Sequence, residues 1–140
     1  VTLEDAVEQR QRDDPEIMEA VGGRIGWGRE LAGEPAITNQ IITDERPQHM
    51  KGFQRFRSTT IQVDVWGRDP KVVRGIRERL IAVLAPAARV DDGATGVVRF
   101  QRAMIANARG SPEQQQGQTA QRSRTDMFRE SIDFIFNHDA

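Results

Sequence analysis

Asp64 and Asp133 are the residues of this sequence whose type and spacing come closest to acid–base chemistry. Each lies on the polar side of an alternating run that reads as a β-strand. On neighbouring strands they would form a carboxylate pair, one member protonated and one ionised, as general acid–base catalysis uses. A solvated sheet face with cross-strand partners such as Arg129 accounts for them more simply, because no pocket-forming motif accompanies them. The two histidines, His49 and His138, stand apart, one in a predicted loop and one beside the C-terminal end. A metal site needs a cluster of ligands at workable spacing, so surface positions suit both better. The chain has no cysteine, which removes disulfides, thiolate ligands and a Cys nucleophile. Gly22-Gly23-Arg24-Ile25-Gly26-Trp27-Gly28 is glycine-rich but follows a helix and lacks the GK[ST] of a phosphate loop. A helix cap and turn explain it better. No serine sits in a G-x-S-x-G elbow. The sequence therefore nominates no catalytic, cofactor-binding or metal-binding residue.

What it does nominate is a contact surface. Trp66 falls on the polar side of its strand and Trp27 in a turn, and tryptophan is enriched at interface hot spots. Arg55 and Arg57 precede the central strand, and Arg109, Arg122 and Arg124 flank a Gln-rich loop, so these arginines sit at the ends of long hairpins. With Asp64 and Arg129 on the open sheet face, they form the candidate interface, facing either neighbouring subunits or passing DNA. Aromatic interleaving of the kind that grips single strands is missing.

The elements that would position these residues follow from caps and periodicity. Thr2 reads as an N-cap, and Leu3, Ala6 and Val7 share one helical face. Asp14-Pro15 restarts the pattern and Gly22-Gly23 stops it, giving a helix over 2–21 broken near Asp13 to Pro15. The Gly-punctuated connection over 24–34 has room for a short strand at Arg24 to Trp27, and Pro35 opens another over Ala36 to Thr43. Phe53 to Trp66 carries the clearest strand signal, with Ile61, Val63 and Val65 pointing one way and Gln62, Asp64 and Trp66 the other. Asp69-Pro70 starts a second helix whose Val72, Val73, Ile76, Leu80, Ile81 and Leu84 form one stripe, closed by Pro86. Asp91-Asp92-Gly93 and Gly96 mark a turn. Val97 to Ala108 alternates imperfectly, as a strand with a bulge near Arg102 would. The last strand is Thr125 to Asn137. Residues 44–56 and 109–124 read as mobile loops. The fold class predicted is α+β: a mainly antiparallel sheet of about four strands, with two amphipathic helices packed on one face.

The chain has 140 residues, which suits one domain over 1–140 with a single core. Lys+Arg 20 against Asp+Glu 21 leaves a net charge of −1, so wrapping of duplex DNA by counterion release is not expected. The longest apolar stretches are short, and the opening Val1-Thr2-Leu3-Glu4-Asp5 lacks a signal-peptide pattern, so neither a membrane partner nor export is expected.

These landmarks together resemble the tail-completion, or tail-terminator, family of long-tailed phages, also found in prophages and gene transfer agents. The resemblance rests on Glu19-Ala20-Val21-Gly22-Gly23-Arg24-Ile25 closing the first helix and on the strand led by Pro35. Its strongest block is Thr60-Ile61-Gln62-Val63-Asp64-Val65-Trp66-Gly67, followed at once by the helix from Pro70 to Leu84. Arg129-Glu130-Ser131-Ile132-Asp133-Phe134-Ile135-Phe136 resembles the family's final strand. Ala36-Ile37-Thr38-Asn39-Gln40 is more polar than the pattern, and the Gln-rich insert at 112–121 is longer. The resemblance implies a structural virion protein of the tail–neck region, assembled in the host cytoplasm and without catalysis or cofactor. It would form a ring, usually a hexamer, that caps the tail tube, docks the head connector and lets DNA pass without sequence-specific binding. A head-side stopper or adaptor of the neck is the competing reading. A small cytoplasmic enzyme or ligand binder would need a pocket with convergent polar groups, and nothing in the sequence picks one out.

Overall fold

The computed structural model describes residues 2–28, 33–45, 48–49, 52–53, 57–91, 97–113 and 127–139. Three helices begin where side-chain caps are available. Thr2 Oγ1 accepts the Asp5 N–H ahead of α1 (Leu3–Arg12), and Asp14 accepts the Ile17 N–H ahead of α2 (Pro15–Val21). Asp69 accepts the Lys71 N–H ahead of α3 (Pro70–Leu84). The last two have proline at the first helical position, where its missing N–H costs nothing. Gly22 ends α2 in the left-handed conformation, φ 58°, with its N–H on Met18 O.

The strands are β1 (Ile25–Trp27), β2 (Ala36–Glu45), β3 (Gln48–His49), β4 (Gly52–Phe53), β5 (Arg57–Gly67), β6 (Ala88–Asp91), β7 (Val97–Phe100), β8 (Met104–Glu113) and β9 (Met127–His138). Seven of them form one sheet in the order β1-β2-β5-β9-β7-β6, with β8 also on β9; β3 and β4 pair only with each other. β1 runs parallel to β2 and every other pair is antiparallel, so the sheet is mixed.

The class remains α+β, but the expected four-strand antiparallel sheet with two helices is overturned. The broken first helix is two separate helices. The chain from Pro86 to Glu113 yields three strands, not a turn and one strand. The reason lies at Gln101 to Ala103: the Gln101 N–H still goes to Asn137 O of β9, but by Ala103 the backbone has left the ladder and its N–H goes to Ala85 O. β7 therefore meets the end of β9 at Phe100–His138, while β8 pairs with its earlier part. The parts of the expected loops at 44–45, 48–49, 52–53 and 109–113 are strand; the rest of 44–56 and 109–124 lies outside the described residues.

The core forms on one face. Ile61, Val63 and Val65 of β5 and Ile132, Phe134 and Phe136 of β9 are all fully buried, as their alternation predicted. They meet Val73, Ile76, Leu80 and Leu84 of α3, with Leu3, Ala6 and Val7 of α1 and Ile17 and Val21 of α2 in the same cluster. Gly67 lets α3 fold back closely, since a Cβ there would lie 2.7 Å from Val73 Cγ2. Two polar contacts tie the helices down. Gln11 and Asn39 exchange amide hydrogen bonds of 2.8 and 3.0 Å inside the core, joining α1 to β2. Asp14 receives two bonds from Arg79 of α3, at 2.6 and 3.0 Å, while still capping α2.

Asp14 thus fixes the break between α1 and α2. The Arg79 hydrogen bonds hold its carboxyl below the usual range, aided by the Ile17 N–H and opposed by burial. Asp14→Ala is expected to destabilise the fold by about 1–2 kcal/mol through loss of the cap. Asp14→Asn, which keeps a capping oxygen, should lose less. Urea denaturation of both variants checks this, and equal losses would assign the effect to the ion pair instead of the cap.

Candidate functional site

The strand register decides what the polar sheet face can do. Asp64 lies opposite Ser131, and Gln62 lies opposite Asp133, so the two carboxylates are diagonal neighbours on adjacent strands. Each has its own partners. Asp64 accepts from Ser131 Oγ and from Gln62 Nε2, and is buried. Asp133 Oδ2 accepts from Arg109 at 3.3 Å, while its buried Oδ1 has no hydrogen-bond partner. The hydroxyl and the amide hold Asp64 as an acceptor within the sheet.

Trp66 is likewise fixed from inside. Its indole N–H donates to Thr38 Oγ1 at 2.9 Å, and the Arg129 guanidinium lies 5.3 Å from the ring centre, directly across the ladder. A cation over the face of tryptophan is attracted by the ring quadrupole. Trp27 packs against the core cluster and is half-buried. Of the arginines, Arg57 approaches Asp44 at 3.8 Å at the start of β5, and Arg109 lies exposed on β8. Arg55, Arg122 and Arg124 lie outside the described residues. The structure thus gathers Asp64, Trp66 and Arg129 on one face of the sheet, Asp64 buried and the other two half-buried, with Arg109 bordering it through Asp133.

Two groups carry more than the sequence suggested. His138, expected at the surface, is fully buried at the end of β9, with Nε2 2.7 Å from Thr59 Oγ1. Arg10 is also buried. It donates to Val83 O at 2.8 Å and Pro86 O at 2.9 Å, and stacks 4.9 Å from the Phe100 ring. Burial lowers its pKa to about 10. It answers the carbonyls at the end of α3, where a cation is favourable. A signal existed, since Leu3, Ala6, Val7 and Arg10 share the i, i+3, i+4, i+7 spacing of one helical face. Beside it lies a shallow groove of about 420 Å³ lined by Gln9, Arg10, Val83, Pro86 and Arg89.

Large apolar side chains also reach solvent. Among the described residues they are Ile41 and Ile42 on β2, Met104 and Ile105 on β8, and Val72 on α3. Residues 40–45 and 104–109 are exposed without alternation, so both faces of these segments are open. Sequence patterning could not separate them from core positions. No group of three or more His, Cys, Asp or Glu among the described residues is placed to hold a metal ion, and no described helix is long and apolar enough to cross a membrane.

No family model and no curated protein matches the chain. A solved structure does. The fold superposes on a chain of the virion of a native gene transfer agent (GTA) particle with a TM-score of 0.67, covering 99% of this chain and 95% of that one. Identity over the match is 13%, so the likeness establishes a shared fold.

Proposed function

We propose that this chain is a structural virion protein, a ring-forming tail terminator. A homo-hexamer of it caps the tail tube, joins the tail to the head connector and passes DNA through its lumen. One observation carries the reading: the fold likeness to a chain of a gene transfer agent virion runs through nearly the whole of both chains. It therefore concerns a complete fold and not a shared supersecondary motif. The sequence block that carries the tail-terminator resemblance, Thr60 to Gly67, forms most of the central strand β5 and leads straight into α3. A ring of identical subunits needs two different complementary patches on each copy, and an open-edged sheet can offer them.

Electron microscopy of negatively stained particles made with and without this protein tests the role. Heads and tails that fail to join, with tubes of abnormal length, are the expected result. Tubes of normal length beside heads that leak DNA would move the protein to the head side of the neck, as a stopper or adaptor. Intact particles in its absence would remove it from the neck altogether.

A further inference from the structure

Four strands in the middle of the sheet share one transverse row. Ile41 of β2 pairs with Ile61 of β5, Ile61 with Phe134 of β9, and Phe134 with Ile105 of β8. The two inner members are fully buried, whereas Ile41 is 38% and Ile105 40% exposed. Each end has a second exposed apolar neighbour, Ile42 at 46% and Met104 at 63%. Four of the five large exposed hydrophobics among the described residues thus sit at the two ends of one row. Sheet edges of soluble proteins are usually protected by lysine, proline or inward charge. Neither Gln40 to Glu45 nor Met104 to Arg109 contains lysine or proline.

We infer that these two edges are the two halves of a head-to-tail contact between copies of this chain, Ile41 and Ile42 of one copy lying against Met104 and Ile105 of the next. The inference rests on the ring reading above and names its surface. Three observations select a second copy as the occupant. The first is direction. β2 and β9 run one way and β5 and β8 the other, so copies turned about an axis along the strands bring β8 of one antiparallel to β2 of the next. The second is level. Both apolar ends belong to the same row, so a contact made along it, with the strands parallel to the assembly axis, adds little rise from copy to copy and suits a closed ring when the rotation closes. The third is charge. Asp44 faces Arg57 and Arg109 faces Asp133 within one copy, which leaves exposed Glu45 at one edge and exposed Arg102 at the other as the charges that meet across the contact. Opposite signs around an apolar centre fix orientation and disfavour like-to-like pairing. The surface formed by Asp64, Trp66 and Arg129 is already committed to partners inside the sheet, which leaves the edges as the more open surface.

The absence of native cysteine makes the test direct. Ile42→Cys and Met104→Cys are made singly and together, both at exposed positions where folding should be unaffected. Each variant is oxidised mildly, as purified protein over a concentration series and in assembled particles. The double variant is expected to give a ladder of covalent oligomers in at least one preparation, and each single variant to stay uncrosslinked. Adding Glu45→Arg to the double variant should reduce the ladder several-fold, and Arg102→Glu together with Glu45→Arg should restore it. Dimers formed as readily by a single variant would mean like-to-like contact, and no ladder in either preparation would remove the contact; either overturns the inference. The two proposals fail separately. A ladder from a protein that particles do not need keeps the contact and discards the neck role. Failed head–tail joining without any ladder keeps the role and discards this contact.

Discussion

Phe134→Ala is expected to cost the fold about 3–5 kcal/mol, the range for deleting a large aromatic from a closed core. Phe134 is fully buried, stacks on Phe136 with ring centres 5.6 Å apart, and lies between Ile61 and Ile105 in its row. β9 is bound on both sides, by β5 and by β8, so its backbone cannot move in to fill the cavity. Small domains have only about 5–15 kcal/mol of total stability, so this single truncation removes a large part of it. Ile105→Ala, at the open end of the same row, should cost the free protein only about 1–1.5 kcal/mol, because two-fifths of that residue already meets water. The measurement is urea denaturation of both variants beside the native chain. A loss below about 2 kcal/mol for Phe134→Ala would mean that the helices collapse into the vacated space and that the core is far more plastic than its packing implies. Near-equal losses would mean that Ile105 serves the fold, which would weaken the case for an edge contact.

The legible part of this fold is the part whose pattern is local. Asp69-Pro70 and the stripe after it gave α3 at its true limits, because a cap and a proline act within one turn. The alternation of Ile61, Val63 and Val65 gave the buried face of β5, because one face meets helices and the other does not. Pairing partners are not local, and no local pattern encodes them. The glycine-punctuated connection has room for a short strand at Arg24 to Trp27, yet nothing near Ile25 says that β1 lies parallel to β2. Residues 109–113 are too poor in apolar residues to read as a strand, yet their backbone ladders with β9 from Arg109–Ser131 to Glu113–Met127. Ala88 to Asp91 was lost between a helix-ending proline and a predicted turn, since only Val90 of its four residues is buried. The shared polar face of Asp64, Trp66 and Arg129 follows from strand alternation alone. Its closure by Ser131 and Thr38 depends on register, which composition does not reveal. The exposed ends of the Ile41–Ile105 row are invisible for the same reason: in sequence they match core residues, and only their place at the sheet edge sets them apart.

Register also explains the strongest expected pH dependence. β9 extends one residue beyond its predicted end, and that residue is His138. It lies opposite Arg57 on β5, and its Nε2 contacts Thr59 Oγ1. Thr59 donates its only hydroxyl proton to Asp44 at 3.0 Å, so the imidazole N–H must be the donor to Thr59, which a neutral ring supplies. The Phe100 ring lies 6.2 Å away on β7. Burial, then the Arg57 charge, disfavours the imidazolium, while Asp44 and Asp139 favour it less strongly, and the pKa falls from 6.5 to about 4. The unfolded chain therefore takes up the proton more readily than the folded one. The stabilisation is complete above the unfolded value of 6.5 and is lost progressively as pH falls from there to about 4. The loss over that window should be roughly 1–3 kcal/mol once partial solvent screening is allowed for. Denaturation midpoints of the native chain and of His138→Asn, compared from pH 7.5 to 4.5, isolate it from the carboxylates, whose titration is common to both. The variant is expected to start less stable and to lose less on acidification, so that the two curves converge. Parallel curves would show that His138 keeps an ordinary pKa, and that water reaches the imidazole although Thr59 and His138 are both buried.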